Sequence, residues 1–495
     1  MGEPLRQDWT SEPGRPDCPG CRAKQEEIDR LCEEVERLRK AEAESCEEKA
    51  KLAAQVLKET RAAKRQAAPF SKGDPKKKPK TPGRKAGKKY GRKGRRERPE
   101  QVDRTLRAEL PDSCPKCSSA VQIERTVEQI LIDLPDPRIE VTRFEVEIGC
   151  CTRPECAARV QGRHPLQISD ALGAAAIQLG PRLVAVATRM KAELGVSYAK
   201  IVRVFEEDFG LPVSRSALCR AFQRVGRKLV PTRDALQDSV RQAPQVSADE
   251  TGWKVAGLTA WLWGFITAKI SLYAIMPGRG FKQAAAVLGE AFSGVLVRDG
   301  WAPYRQFRKA IHQTCIPHLL RRCRRIEETE PGDTESYPRR VKRLLLQALG
   351  LRDRMRAGKI SDHGFAVARG QVKAKLTRLT RENPEIDEHR KLAKHLRNEL
   401  DALLTFLYRL GVHASNWLAE TELRPPIATR KACGGGNRTW NGARHFATIL
   451  SVVRTARRQG HNPAALIVGI LRARRHTVAT MLLPVPPGEN QPRPP

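Results

Sequence analysis

The stretch QVSADETGWKV, Gln245 to Val255, sets two adjacent carboxylates, Asp249 and Glu250, at the end of a run with strand character. The chain around it carries 91 Lys and Arg against 56 Asp and Glu, a formal net charge of +35. Acids in so basic a setting are either a solvated strand end or ligands of a metal ion. The two are not equivalent, because neighbours on a strand point to opposite faces. Asp249 shares a face with Ser247 and Thr251, whereas Glu250 points the other way and reads as a structural or solvated carboxylate.

Outward from this stretch the hydrophobic period stays that of strands. GLTAWLWGFIT and ISLYAIMPG read as the second and third strands, with turns near Gly257 and Lys269. A helix, FKQAAAVLGEAF, precedes a fourth strand, GVLVRDG, which ends in Asp299; AIHQTCIPH reads as a fifth strand. Three antiparallel strands followed by helix–strand alternation, with an Asp ending the first and fourth, is the ribonuclease-H-like arrangement. That fold sets its first and fourth strands side by side, so Asp249 and Asp299 meet although 299 − 249 = 50 residues separate them. Paired carboxylates repel unless something positive sits between them. Mg²⁺, with Mn²⁺ able to substitute, takes oxygen ligands and keeps waters and phosphate oxygens as the rest. Two such ions activate a nucleophile and stabilise a leaving oxygen at phosphorus. The catalytic domain is expected over residues 243–470, with a charged helical insertion at about 320–410. The Pro-rich tail 483–495 is expected to be disordered.

Upstream, residues 22–65 carry helical composition, with Ile28, Leu31, Val35 and Leu38 at a/d heptad spacing. The seam is good at its start and weak or shifted afterwards, which leaves a short coiled coil joining two protomers or one amphipathic helix. Residues 66–105 combine Pro, Gly and dense positive charge, including Lys76, Lys77, Lys78, Arg84, Lys85, Arg92 and Lys93. They read as a disordered basic linker with sequence-independent affinity for phosphate. Over 106–165, CPKC (Cys114, Cys117) and GCCTRPEC (Cys150, Cys151, Cys156) flank two β-like runs, VEQILIDL and RIEVTRFEVEI. Two cysteine knuckles on a hairpin suit a tetrahedral structural Zn²⁺ held by Cys114, Cys117, Cys151 and Cys156, with Cys150 competing for the Cys151 role. Residues 169–240 read as a helical DNA-binding region. Within it, a Gly-Leu-Pro-Val turn and Ser214 separate two helices in a helix-turn-helix pattern. Ile201, Val204 and Phe205 mark one apolar face and Leu218, Phe222 and Val225 the other. Arg215, Arg220, Gln223 and Arg224 would face outward, towards a major groove.

Composition narrows the function classes. Positive charge of this size requires an acidic partner, and nucleic acid fits best through phosphate neutralisation. No long apolar run suggests a membrane span, and the N-terminus lacks a signal-peptide apolar core. A cytoplasmic, nucleoid-associated protein is expected, in which 13 cysteines serve as metal ligands or free thiols. Neither a Walker A pattern nor H-E-x-x-H occurs, so nothing points to a nucleotide-driven motor or a zinc hydrolase.

The chain resembles the transposases of the insertion-sequence-sixty-six family, a branch of the D-D-E transposases. The resemblance rests on ADETGWKV, VLVRDGWAPYRQF, HQTCIPHLLRR, NWLAETELRPP and GGNRTWNGARHFATILSVVRTARRQGHNP, in that order. It implies a catalytic triad of Asp249, Asp299 and Glu420, with Glu422 as an alternate because SNW (Ser415 to Trp417) replaces the family's usual Asp-Asn-Asn. It implies phosphodiester hydrolysis and transesterification at terminal inverted repeats, then joining to target DNA by a homo-oligomer. Arg298 and the Arg-rich insertion are candidate phosphate contacts. CIPH (Cys315, His318) matches a family Cys-x-x-His; as a half-site without a second pair it reads as packing near the active site. The alternative is a catalytically inactive, decayed DNA-binding protein or regulator.

Overall fold

In the computed structural model, the structure describes residues 26–45, 48, 99–134, 139–329, 335–433, 435–473 and 478–482. The basic linker residues Lys76 to Lys93, the later part of the heptad seam and the Pro-rich tail lie outside the described residues. The chain divides into two compact units, Met1–Glu124 and Arg125–Pro495.

In the first unit, residues 26–45 form helix α1. All of its residues are exposed, including Ile28, Leu31, Val35 and Leu38. Further on, Cys114 and Ser119 close a tight turn: the Cys114 amide donates to Ser119 O at 2.9 Å and the Ser118 amide to Cys114 O at 2.8 Å.

The second unit opens with a short antiparallel ribbon, β1 (Ile148–Cys150) and β2 (Arg159–Gln161). The two longer strands expected upstream are absent among the described residues. VEQILIDL is irregular throughout, and of RIEVTRFEVEI only its final Ile148 joins a strand. Their alternating apolar residues find no face to bury: Ile130, Ile132, Leu134, Ile139 and Val141 are all exposed. A two-stranded ribbon with neither a third strand nor a helix beneath it is marginal in water.

Four helices follow: α2 (Pro181–Ala192), α3 (Tyr198–Glu207), α4 (Arg215–Lys228) and α5 (Val230–Arg241). Ser197 caps α3 and Ser214 caps α4, each hydroxyl accepting from an amide in the first turn. Ile201 and Phe205 of α3 meet Leu218 of α4 in a small apolar cluster. The rest of the buried face of α4 (Ala221, Phe222, Val225) enters the main core together with the sheet. Close packing there needs Gly226, whose Cβ would approach the His445 ring to 2.7 Å.

The sheet contains β3 (Gln245–Val255), β4 (Leu258–Ile266), β5 (Ser271–Met276), β6 (Val295–Arg298) and β7 (Ile311–Thr314). Its order is β5-β4-β3-β6-β7. The first three strands are antiparallel, whereas β6 runs parallel to β3 and β7 parallel to β6. Helix α6 (Phe281–Leu288) makes the crossover that parallel pairing requires. After β7 come α7 (Ile316–Thr329), α8 (Tyr337–Arg356), α9 (Asp362–Arg381), α10 (Asp387–Leu403) and the single turn α11 (Thr405–Tyr408). These helices build a second core with Val295 and Val297, whereas α12 (Trp417–Ala432), α13 (Trp440–Arg458) and α14 (Pro463–Arg472) return to the first.

Both sheet edges are covered, which removes a template for pairing with other chains. On β5, the Ser271 and Tyr273 amides donate to Thr455 Oγ1 (3.1 Å) and Ser451 Oγ (2.9 Å) of α13. On β7, Thr405 Oγ1 donates to His312 O at 2.6 Å, and Gln313 Oε1 accepts from the Phe406 amide at 2.8 Å.

Candidate active site

Register places the two aspartates. The last parallel pair between β3 and β6 is Ser247 with Val297. Asp249 and Asp299 each stand two residues further on and so level with one another. Asp299 follows the end of β6, whereas Asp249 does not end its strand as expected, because β3 continues to Val255 in pairing with β4. Both side chains are tied locally: Asp249 Oδ1 accepts from the Glu250 amide at 2.9 Å and Asp299 Oδ1 from the Trp301 amide at 3.0 Å.

Helix α12 enters at this level. Asn416, buried at its N-cap, donates through Nδ2 to Ala248 O at 2.8 Å, fixing the helix one residue before Asp249. Glu420 lies four residues later and therefore on the same helix face. Its Oε1 is 3.4 Å from Arg321 Nη2 and 3.6 Å from His318 Nδ1. The Asp249 carboxyl is pushed up to about 8, first by burial, then by the negative charges of Glu250, Asp299 and Glu420. Asp249 therefore lies within electrostatic reach of both Asp299 and Glu420.

Glu422 goes elsewhere. It is buried, pairs with Arg454 (2.9 Å) and Arg458 (3.3 Å), and accepts from Tyr273 Oη at 3.0 Å and Ser271 Oγ at 3.1 Å. Glu250 is likewise structural, and it is not solvated. Its side chain is fully buried, paired with Arg279 at 2.7 Å and hydrogen-bonded by Tyr304 Oη. Arg298 corrects an expectation: at 1% exposure it cannot reach a phosphate. It pairs with buried Glu399 of α10 and donates to Thr314 Oγ1 and to Asp299 O, at 3.1 and 3.0 Å. Arg305 also pairs with Glu399, at 2.8 Å. The Asp299 turn is pressed against α10 as well, where a Cβ on Gly300 would collide with the His395 ring.

A family model described as Transposase IS66 family matches residues 176–444, more than half of the chain. The chain belongs to this transposase family. It is also 25% identical over 405 residues to an uncharacterized protein, y4qI, of Sinorhizobium fredii, covering 74% of the transposase and 70% of that protein.

The remaining candidate residues of the transposase fall into separate places. Arg215 and Arg220 are exposed on α4, while Gln223 and Arg224 are half-buried. In the first unit, Cys114 and Cys117 flank the tight turn, and hydrogen bonding from Ser119 and then Cys114 draws the Cys117 thiol below its ordinary value. In the second, Cys151 and Cys156 flank a turn in which the Cys156 amide donates to Arg153 O; Cys150 is exposed and Cys151 half-buried. Sequence reasoning missed Glu399, Arg279 and Tyr304. Tyr304 lies in the quoted VLVRDGWAPYRQF stretch, but Glu399 carried no local signal because its partners are 85 and 101 positions away. Among the described residues, no helix is long and apolar enough to cross a membrane.

Proposed function

We propose that this chain is a D-D-E DNA transposase. It would cut phosphodiesters at insertion-sequence ends and join the freed 3′ hydroxyls to target DNA. One observation carries the reading: Asp249, midway along β3, stands level with Asp299, just past β6, on adjacent parallel strands, and the N-cap of α12, the helix that carries Glu420, is hydrogen-bonded to Ala248. The strand order supports a ribonuclease-H-like catalytic core. The donor set fits hard divalent cations such as Mg²⁺ or Mn²⁺, being carboxylate oxygens alone. Two buried polar atoms beside Asp249, Ser247 Oγ and Asn416 Oδ1, have no protein hydrogen-bond partner, as expected where solvent or a hydrated ion completes the site. Bound there, such ions would supply charge neutralisation at the scissile phosphate and polarise the attacking oxygen.

The chain's own residues hold the geometry. Asn416 seats α12 against β3, and Arg298 holds the backbone of the Asp299 turn. Exposed Arg215 and Arg220 on α4, with the basic segment from Lys76 to Lys93, would neutralise DNA phosphates. Cys114, Cys117, Cys151 and Cys156 are the proposed ligands of a structural Zn²⁺, the first two flanking a tight turn closed by Cys114 and Ser119. The exposed apolar stripe of α1 supports a homo-oligomer. The protein would act on DNA in the bacterial cytoplasm, at the nucleoid.

The test is Mg²⁺-dependent nicking of the element's own terminal inverted repeats. Asp249→Asn is expected to lower nicking by roughly 10³-fold or more. Binding to the same DNA should persist and weaken steeply with salt. Equal cutting by the variant would sink the site assignment. Binding without any cutting by the wild type would favour a decayed, regulatory protein.

A further inference from the structure

Glu420 has two kinds of neighbour. On one side are Asp249 and Asp299, which offer only oxygen. On the other are Cys315 and His318, whose ligand atoms lie with a Glu420 oxygen so that all are within 4.8 Å of one another. Cys315 stands beside Asp299: β7 pairs Thr314 with Arg298, and the Cys315 amide donates to Arg298 O at 2.9 Å. His318 is in the first turn of α7, the helix that starts immediately after Cys315. The His318 Nδ1 atom is buried and has no hydrogen-bond partner, with Glu420 Oε1 3.6 Å away. The Cys315 sulfur is fully buried and accepts from the Asn416 amide at 3.2 Å.

We infer that Cys315, His318 and Glu420 form a second metal site, selective for zinc-class ions, that shares Glu420 with the oxygen-only site. One sulfur, one imidazole nitrogen and one carboxylate form a zinc donor set, and a fourth position remains for water. Thiolate and carboxylate together balance the 2+ charge, with the thiol proton released to solvent. Mg²⁺ competes poorly for sulfur and nitrogen, whereas Zn²⁺ binds them far more tightly. Zinc at Cys315 and His318 therefore draws Glu420 away from Asp249 and Asp299, and from Arg321. Zinc becomes an inhibitor of the magnesium-dependent reaction. This consequence rests on the transposase reading; the zinc site itself does not.

The experiment uses the full chain, loaded with Zn²⁺ and dialysed against metal-free buffer. Metal content is compared for wild type, Cys315→Ser and His318→Ala, with the Co²⁺-substituted absorption spectrum of each. Wild type should retain one zinc more per chain than either variant, and the variants should lose intensity in the sulfur-to-Co²⁺ charge-transfer band. His318 is partly exposed, so His318→Ala decides the matter if Cys315→Ser does not fold. In nicking assays, micromolar zinc should inhibit wild type by about ten-fold more than it inhibits His318→Ala. Equal zinc content in wild type and folded His318→Ala overturns the site, whether or not the chain nicks. Loss of one zinc in the variants, in a chain that never nicks, upholds the site and refutes the transposase reading alone.

Discussion

Asp249 shows what one buried carboxyl does to the whole chain. The unfolded carboxyl titrates near its ordinary 3.8 and the folded one is pushed up to about 8, so between those limits the folded state holds a proton that the unfolded state has lost. Its contribution to stability is therefore complete below about pH 4, declines as pH rises and is gone above about pH 8. In EDTA, calorimetry should show the melting temperature falling from pH 5 to 8.5. Asp249→Asn should flatten that slope and melt about 3–6 °C higher than wild type at pH 8. A variant that parallels wild type at every pH would refute the burial argument. Strand character around Asp249 and Asp299 was legible in the sequence, because strand period is a local property; that β3 continues past Asp249 to Val255 was not, because it depends on the pairing with β4. Residue-level reading left Glu420 and Glu422 open, because choosing between them needs the tertiary partners of each. Two residues apart on one helix, the first meets His318 and Arg321, and the second is held by Arg454, Arg458 and Tyr273.

Among the elements, α10 does more than its place in an insertion suggests. It supplies Glu399, fully buried, to Arg298, Arg305 and Thr314. Removing one partner of a buried pair leaves the other charge without compensation. Glu399→Ala should therefore destabilise the chain by about 3–5 kcal/mol in denaturant unfolding, while Glu399→Gln, which keeps hydrogen bonding to Thr314, should cost less. Indistinguishable losses in the two variants would show that packing alone sets the cost. The strands, the crossover helix and the insertion were all legible from their periodicity. The region between Val121 and Glu147 was not, since alternation predicts a strand only where something exists to bury the apolar face.

The whole molecule carries a charge of +35, and among the described residues two large hydrophobic cores, one built around the sheet and α12–α14 and the other from α7–α11, stand beside the small α3–α4 cluster. The positive charge was readable at once from composition and points to a polyanionic partner. The division into cores was not readable, because it depends on which helices return to the sheet. Helix α1 adds an apolar stripe that no described neighbour covers, with Leu31 58% and Leu38 60% exposed. At micromolar concentration, light scattering should give at least a dimer, and Leu31→Glu with Leu38→Glu should shift the species to monomer. An unchanged mass would exclude α1 as the joining element.

The contact of Gly300 with His395 also sets a calendar for biosynthesis. His395 is made 395 − 299 = 96 residues after Asp299, and Glu420 is made 420 − 299 = 121 residues after it. A nascent chain can thus pair β3 with β6 long before the ribosome has supplied the helix that braces the Asp299 turn, or the last carboxylate. Its basic segment, residues 66–105, is made before either aspartate. Under the proposed chemistry, a transposase still being translated can hold on to DNA but cannot yet cut it, so attachment comes before competence.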